Sequence, residues 1–598
     1  MVLVTMRSCI RCFCAVSMVM LQVYSVVPTP TNNLPSITTT WQTRLGSILG
    51  LKISSQNGNI FQFRKIPFAK PPEGDLRFSK PEVPNAWTET LNCTTYGYAC
   101  MQSGTDVSED CLYVNIYIPN SLDTAAKRAV MVWIHGGSFI SGRGSEVDGS
   151  TLALHGDVIV VTINYRLNIF GFYSTDDNAT LGNYGLWDQM LALRWVKDNI
   201  EDYGGDPSRI TIFGESAGGV SVGLQAIISQ NKGVFQRVIA ESGSSVGPRD
   251  SGVEAMKVFT KVVNELGCSS DSSAATVTCL RDKSARQLVM SFYKAFNDVQ
   301  SSSFTILSAL GPTIDGELFS RDFDDILNDI DSDAMKFFRD LDYLAGFNTA
   351  DAGLFYYDLL RHQKEFPTFN FTIGITANIP VNHVIPTLVR QLYDNCDHIF
   401  TSITEKYVNS LPNGDIEAQT SSAANMYADV NYYSPAVRSL DAHTGSNSKT
   451  YQYLFSHEPR WGPVQPRPLW LHGANHADEL AFVFGLNEIY PGNVATEDDE
   501  LTISRRVMTY WANFAKFGNP NGDDHDLTEW PQYTLPNKCY LNISATDTVG
   551  RALYADRMDF WNKNVTSQLT QCRQKHVNGV GANISIRLDE VHDWILTL

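Results

Sequence analysis

The chain has no excess of basic residues. Its 46 Lys and Arg stand against 64 Asp and Glu, a formal net charge of −18. That disfavours nucleic acid and anionic membrane surfaces as partners and suits a soluble protein. No internal repeat or low-complexity block stands out, and the makeup is ordinary globular, 43% hydrophobic and 18% charged. No transmembrane anchor is expected. The apolar run from Cys12 to about Val27 is too short and too rich in Cys and Ser to span a bilayer. The ending Val591-His-Asp-Trp-Ile-Leu-Thr-Leu598 offers neither a GPI signal nor a Lys-Asp-Glu-Leu type retention signal.

That N-terminal run has another reading. Arg7 and Arg11 precede it, and Val23 and Ser25 offer a small-residue cleavage site, so residues 1–25 read as a signal peptide. Residues 26–40, Pro-, Asn- and Thr-rich from Thr29 to Thr40, read as a linker. Residues 41–570 read as one domain and 571–598 as a tail. The Cys9-Ile-Arg-Cys12 pattern lies in the segment to be removed and carries no function. Eight cysteines then remain, at 93, 100, 111, 268, 279, 396, 539 and 572. An even number in an exported chain points to disulfides, with the pairing open. Sequons at Asn92, Asn178, Asn370, Asn542, Asn564 and Asn583 fit a secreted glycoprotein.

Gly-x-Ser-x-Gly occurs three times, centred on Ser216, Ser221 and Ser245. Gly is about 7% of ordinary proteins, so the pentapeptide alone decides nothing. The flanks decide. Ile210 to Phe213 is an apolar, β-prone run that stops at Gly214, and a small-residue, apolar stretch follows Ala217. This strand–turn–helix context presents a serine hydroxyl at the end of a sheet. Ser221 falls inside the helix, and Ser245 is followed by Gly247-Pro248, a loop signal. Further buried-strand candidates are Ala129 to Ile134, Val158 to Ile163, Val238 to Ala240, Tyr343 to Phe347 and Tyr451 to Phe455, with a helix over Leu186 to Ile200. Continuous apolar strands separated by helices predict an α/β fold with a large, mostly parallel central sheet.

A serine hydroxyl needs a base, the base an orienting carboxylate, and the oxyanion preorganised N–H donors. One donor is the residue after the nucleophile, Ala217; the others should come from a Gly-rich loop after an early strand, here His135-Gly136-Gly137-Ser138-Phe139. With this loop, the sequence resembles the type-B carboxylesterases of the cholinesterase family. The resemblance rests on Glu109-Asp-Cys-Leu-Tyr-Val-Asn115, Asn164-Tyr-Arg-Leu-Asn168, Gly182-Asn-Tyr-Gly-Leu-Trp-Asp-Gln189, Phe213-Gly-Glu-Ser-Ala-Gly218 and Asn475-His-Ala-Asp-Glu-Leu-Ala-Phe-Val-Phe-Gly485. They stand in family order and cover roughly residues 41–565.

The resemblance implies an α/β-hydrolase with Ser216 as nucleophile, His476 as base and Asp351 as acid, the last five residues after Gly346. Gly137, Ser138 and Ala217 would form the oxyanion hole, with Ser138 standing where the family usually has a third glycine. It implies the disulfides Cys100–Cys111 and Cys268–Cys279 and leaves Cys93, Cys396, Cys539 and Cys572 unassigned. The Cys100–Cys111 loop has no tryptophan to hold a quaternary ammonium, so acetylcholine is not the expected substrate, and the chain looks nearer to bile-salt-stimulated lipase. No cofactor and no metal are expected. His472 and His476 have metal-pair spacing, but Gly473 sits where a metalloprotease has its Glu. Asp329 to Asp333 resembles a calcium loop but lacks Gly at the sixth position and Glu at the twelfth. Asp315 matches a structural segment, and Glu215 would shape the site electrostatically. The expectation is a secreted esterase acting on small-molecule or lipid esters, with a homodimer allowed. The rival from another class is a non-catalytic, cholinesterase-like adhesion or binding protein.

Overall fold

A computed structural model describes residues 36–580, apart from 56, 247–251, 302–303, 305–309, 413, 446–447, 463, 465–466, 490–498 and 524. The signal-peptide reading, Cys9, Cys12, Cys14 and Asn583 lie outside the described residues.

The apolar runs form one sheet. Its main strands are β1 (Ser36–Thr43), β2 (Gly46–Ser55), β3 (Gly58–Pro67), β4 (Tyr113–Pro119), β5 (Arg128–Ile134) and β6 (Ile159–Ile163). They continue with β7 (Gly205–Glu215), β8 (Arg237–Glu241), β9 (Asp342–Asn348), β10 (Thr450–Phe455), β11 (Cys539–Ile543) and β12 (Thr548–Arg551). The spatial order is β1-β2-β3-β4-β6-β5-β7-β8-β9-β10-β11-β12, and a short strand, Leu91–Asn92, pairs beside β2. From β6 to β11 every pairing is parallel, and β1 to β4 and β12 are antiparallel additions.

Parallel strands need crossovers that cover both faces, so these strands are apolar throughout. Val130 and Val132 pack into one layer with Leu193 and Val196 of helix Tyr184–Asn199 and Val222 of helix Ala217–Ile227. Met131 and Trp133 pack into the opposite layer with Phe484 and with Val507 and Trp511 of helix Asp499–Phe517. A third cluster lies above the sheet edge, built from helices Gly353–Arg361, Ile385–Leu392, Asp397–Thr404 and Ile416–Ala428. Two family motifs serve this frame. Arg166 forms a buried, two-pronged pair with Asp188 at 2.7 and 2.8 Å. Arg77 pairs with Glu109 at 2.6 Å and caps three carbonyls, of Leu280, Arg281 and Lys283.

The domain edges differ from the sequence reading. β1 begins at Ser36, inside the stretch read as linker, because Ser36–Thr43 alternates outward and inward against β2. Helix Thr566–Val580 runs through the expected tail boundary at 570/571. Cys100–Cys111 and Cys268–Cys279 are both bonded, as the resemblance implied. A third disulfide, Cys396–Cys572, ties helix Thr566–Val580 to the helical layer, and Cys93 and Cys539 are buried thiols. Asn92, Asn178, Asn370 and Asn564 are exposed and Asn542 is half-buried. Among the described residues no helix is long and apolar enough to cross a membrane.

Cys396 and Cys572 lie 176 residues apart, so their bond restricts the unfolded chain over a long loop. The double variant Cys396→Ser/Cys572→Ser is expected to lose about 2–5 kcal/mol of stability. Denaturant unfolding measures it; an unchanged midpoint would rule the bond out as a stabilising element.

Candidate active site

β7 ends at Glu215, and the chain reverses at Ser216 into helix Ala217–Ile227. Ser216 takes φ 57° and ψ −122°, a strained conformation for a residue with a Cβ. The turn is possible because its flanks are glycine. A Cβ on Gly218 would sit 2.0 Å from the Ile134 carbonyl oxygen, and one on Gly214 would sit 2.6 Å from the Gly218 backbone. The Ser216 N–H donates to the Glu241 carbonyl at 2.9 Å, pinning the turn to β8. The side chain is 7% exposed and faces a cavity of about 2780 Å³.

The neighbouring strand β5 runs into His135 to Phe139. His135 stacks on Tyr165, with centroids 4.4 Å apart, and its carbonyl accepts the Tyr165 hydroxyl at 2.9 Å. Burial pushes the His135 imidazole down to about 4, so it is a neutral wall. Gly137, Ser138 and Phe139 then take φ values of 100°, 55° and 61°. At Gly137 a Cβ would lie 2.2 Å from the Ser141 carbonyl oxygen, so glycine is obligatory; at Ser138 the left-handed conformation is carried with a side chain. Gly137, Ser138, Ala217 and Ser216 line the same cavity. No backbone acceptor among the described residues takes the Gly137 or Ala217 N–H.

The loops that carry Asp351 and His476 leave β9 and β10, which are parallel neighbours and so end on the same edge. They are laced together there. The Ala350 N–H donates to the Ala474 carbonyl at 2.7 Å, and the Asn348 side-chain amide to the Asn475 carbonyl at 2.7 Å. This brings Asp351 Oδ1 to 2.5 Å from His476 Nδ1, with both side chains buried. Asp351 Oδ2 accepts the Ser242 hydroxyl at 2.6 Å and the Asn348 N–H at 3.1 Å. His476 Nε2 lies 3.1 Å from Glu215 Oε1, at an angle that makes no hydrogen bond. A Ser216–His476 hydrogen bond is not formed in this structure; such bonds are often long before substrate binds.

Burial opposes a charge on His476, but the carboxylates of Glu215 and Asp351 and the Asp351 hydrogen bond outweigh it and raise the imidazole to about 9. Glu215, fully buried, is raised to about 7, the nearby imidazole partly offsetting the desolvation. Two carboxyl groups beneath it were not singled out in the sequence. Glu241 accepts the Trp511 indole N–H at 2.8 Å, and Glu479 accepts the Asn348 amide at 2.5 Å. Glu479 closes the His-Ala-Asp-Glu run and Glu241 ends a strand; a carboxylate in such an apolar setting was the legible signal.

The other candidates lie elsewhere. Ser221 is inside its helix and donates to the Ala217 carbonyl at 2.8 Å. Ser245 sits in the loop after β8. His472 is exposed, 3.4 Å from Glu417, and shares no site with His476. Asp315 caps the N–H groups of Glu317, Leu318 and Phe319, and Asp329 pairs with Arg321. Among the described residues no cluster of three His, Cys, Asp or Glu could hold a metal ion.

The profile of the Carboxylesterase family matches residues 37–561. A medium-chain fatty acyl-CoA hydrolase precursor of Anas platyrhynchos is 34% identical over 558 residues, covering 90% of this chain and 94% of that protein. The cocaine esterase of Homo sapiens is 34% identical over 556 residues, covering 89% and 92%. Neuroligin-2 of Mus musculus is 32% identical over 583 residues, 87% of this chain and 66% of its own length. With this match and the sheet described above, the chain belongs to the carboxylesterase family and has its α/β-hydrolase fold.

Proposed function

We propose that this chain is a serine carboxylester hydrolase, exported to an oxidising compartment, with Ser216, His476 and Asp351 as its triad. The observation that carries it is the strained Ser216 turn at the cavity, beside an imidazole that lies 3.1 Å from the adjoining Glu215 and whose Nδ1 is held by a buried carboxylate. His476 Nε2 takes the Ser216 Oγ proton as Oγ attacks the ester carbonyl carbon. The N–H groups of Gly137, Ser138 and Ala217 receive the resulting oxyanion. His476 returns the proton to the alkoxy oxygen, the C–O bond breaks, and the alcohol leaves. Water then gives a proton to Nε2, its oxygen attacks the acyl carbon, and collapse frees the acid and restores Ser216–OH. Asp351 keeps Nδ1–H directed and balances the transient imidazolium.

The cavity is large enough for small or lipid-sized esters, and two relatives are named for a fatty acyl thioester and for cocaine. Ser138 carries a Cβ at the cavity wall where a third glycine would leave space. The competing reading, a non-catalytic binding protein on the same fold, draws on the match to neuroligin-2. The presence of all three triad side chains, two of them within 2.5 Å, favours the hydrolase.

A fluorophosphonate should label the folded protein on the peptide carrying Ser216, and Ser216→Ala should abolish labelling. An absence of adduct on native protein would leave the binding-protein reading standing. Asp351→Asn should lower kcat by about 10⁴-fold; a drop of less than about tenfold would place the acid elsewhere. The base works only when neutral, so kcat/KM should rise with pH through the His476 titration, above the ordinary imidazole range. Glu215→Gln removes a charge that favours the imidazolium and should move this acid limb down by about one unit. A limb that stays in place would show that Glu215 does not set it.

A further inference from the structure

Helix Ile416–Ala428 does not run regularly into helix Ser434–His443; a π-helical turn, Asp429–Tyr433, lies between them. Such turns insert an extra residue and re-aim the side chains they carry. Here, consecutive residues meet different members of the triad. The Tyr432 ring lies on the His476 imidazole, with centroids 4.7 Å apart and planes 28° from parallel. The Tyr433 hydroxyl donates to the Asn348 carbonyl at 2.6 Å and accepts the Asp351 N–H at 3.2 Å. Tyr433 also stacks on Phe347, at 4.1 Å.

The turn is fastened from below. Asp429 is fully buried, and its Oδ2 accepts the Tyr407 hydroxyl at 2.6 Å and lies 3.4 Å from Arg557 Nε. The Trp561 indole N–H donates to the same Tyr407 hydroxyl at 2.7 Å. Tyr432 is therefore presented by a braced backbone.

We propose that Tyr432 is a positioning residue for the base: its ring face holds the His476 imidazole in the rotamer that meets Asp351, and lies against the positive charge that ring gains on taking the Ser216 proton. This rests on the hydrolase reading above. The groups facing the imidazole are Glu215 at the end of β7, Asp351 after β9 and Asp478 from its own loop, the last paired with Arg467 at 2.6 Å. Tyr432 brings an aromatic ring face to this set. An aromatic face attracts a cation without adding another desolvated charge.

The test compares wild type, Tyr432→Phe, Tyr432→Leu and a series of increasingly fluorinated phenylalanines at position 432. The readouts are kcat, KM and the pH dependence of both kcat/KM and fluorophosphonate labelling. Tyr432→Phe keeps the ring and should behave like wild type. Tyr432→Leu should lose about tenfold in kcat with little change in KM. Its acid limb should move about half a unit lower, since a contact favouring the protonated ring is gone. The fluorinated rings weaken the face at nearly constant shape and should move the limb down stepwise, deciding the matter even where the Leu variant does not fold. A flat series, or Phe as impaired as Leu, overturns the role. A wild type that neither hydrolyses esters nor labels at Ser216 instead sinks the hydrolase reading, and this inference with it. A labelled wild type with a flat series sinks the stacking role alone.

Discussion

The hydrogen bond between Asp351 and His476 is the contact on which the site depends, and the parallel sheet makes it possible. Two loops 125 residues apart in the chain meet because β9 and β10 are neighbours running the same way, so both release their loops at one edge. An antiparallel pairing would send one of the two arms to the opposite edge. The backbone bond from Ala350 to Ala474 and the Asn348 amide to Asn475 then fix the loops relative to each other. Ser216 arrives by the same logic, from β7, two strands from β9.

Beneath that contact lies a concentration of acid that is costly in a dry interior. Glu215, Glu241, Asp351, Asp478 and Glu479 are each at most 2% exposed. The compensations differ. Asp351 is saturated with donors from Ser242, Asn348 and His476, and Asp478 has Arg467. Burial pushes Glu241 up to about 8 and Glu479 well above its ordinary value, so the charged form is disfavoured at both. Negative charge is thereby concentrated next to the imidazole rather than spread through the core.

The sequence made the strand before Ser216 legible because a strand buried on both faces reads as an unbroken apolar run, here Ile210 to Phe213. The resemblance supplied positions for His476 and Asp351, and the fold brings those two side chains together. Less was visible where structure depends on distant packing. Ser36 to Thr40 looks like linker by composition and becomes a strand only because β2 lies beside it. Cys396 and Cys572 could not be paired from spacing, since helices set their approach. Nothing in the sequence marks Tyr432, because the π-helical turn that aims it has no period in the sequence.

The Cys396–Cys572 bond also bears on when the site is completed. Asp351 and Ser216 precede Cys396, while His476 lies within the loop that the bond closes. During synthesis the chain grows at about 5–20 residues per second, so Ser216 and Asp351 exist for several seconds before His476 emerges, and longer before Cys572 can close the loop. β11 and its neighbour β12, which finish the sheet beyond β10, also come after His476. The covalent clasp is thus available only once every strand has been made. The Asp351–His476 contact is thus made late, and a truncated product that stops short of the clasp carries Ser216 without the finished fold around it.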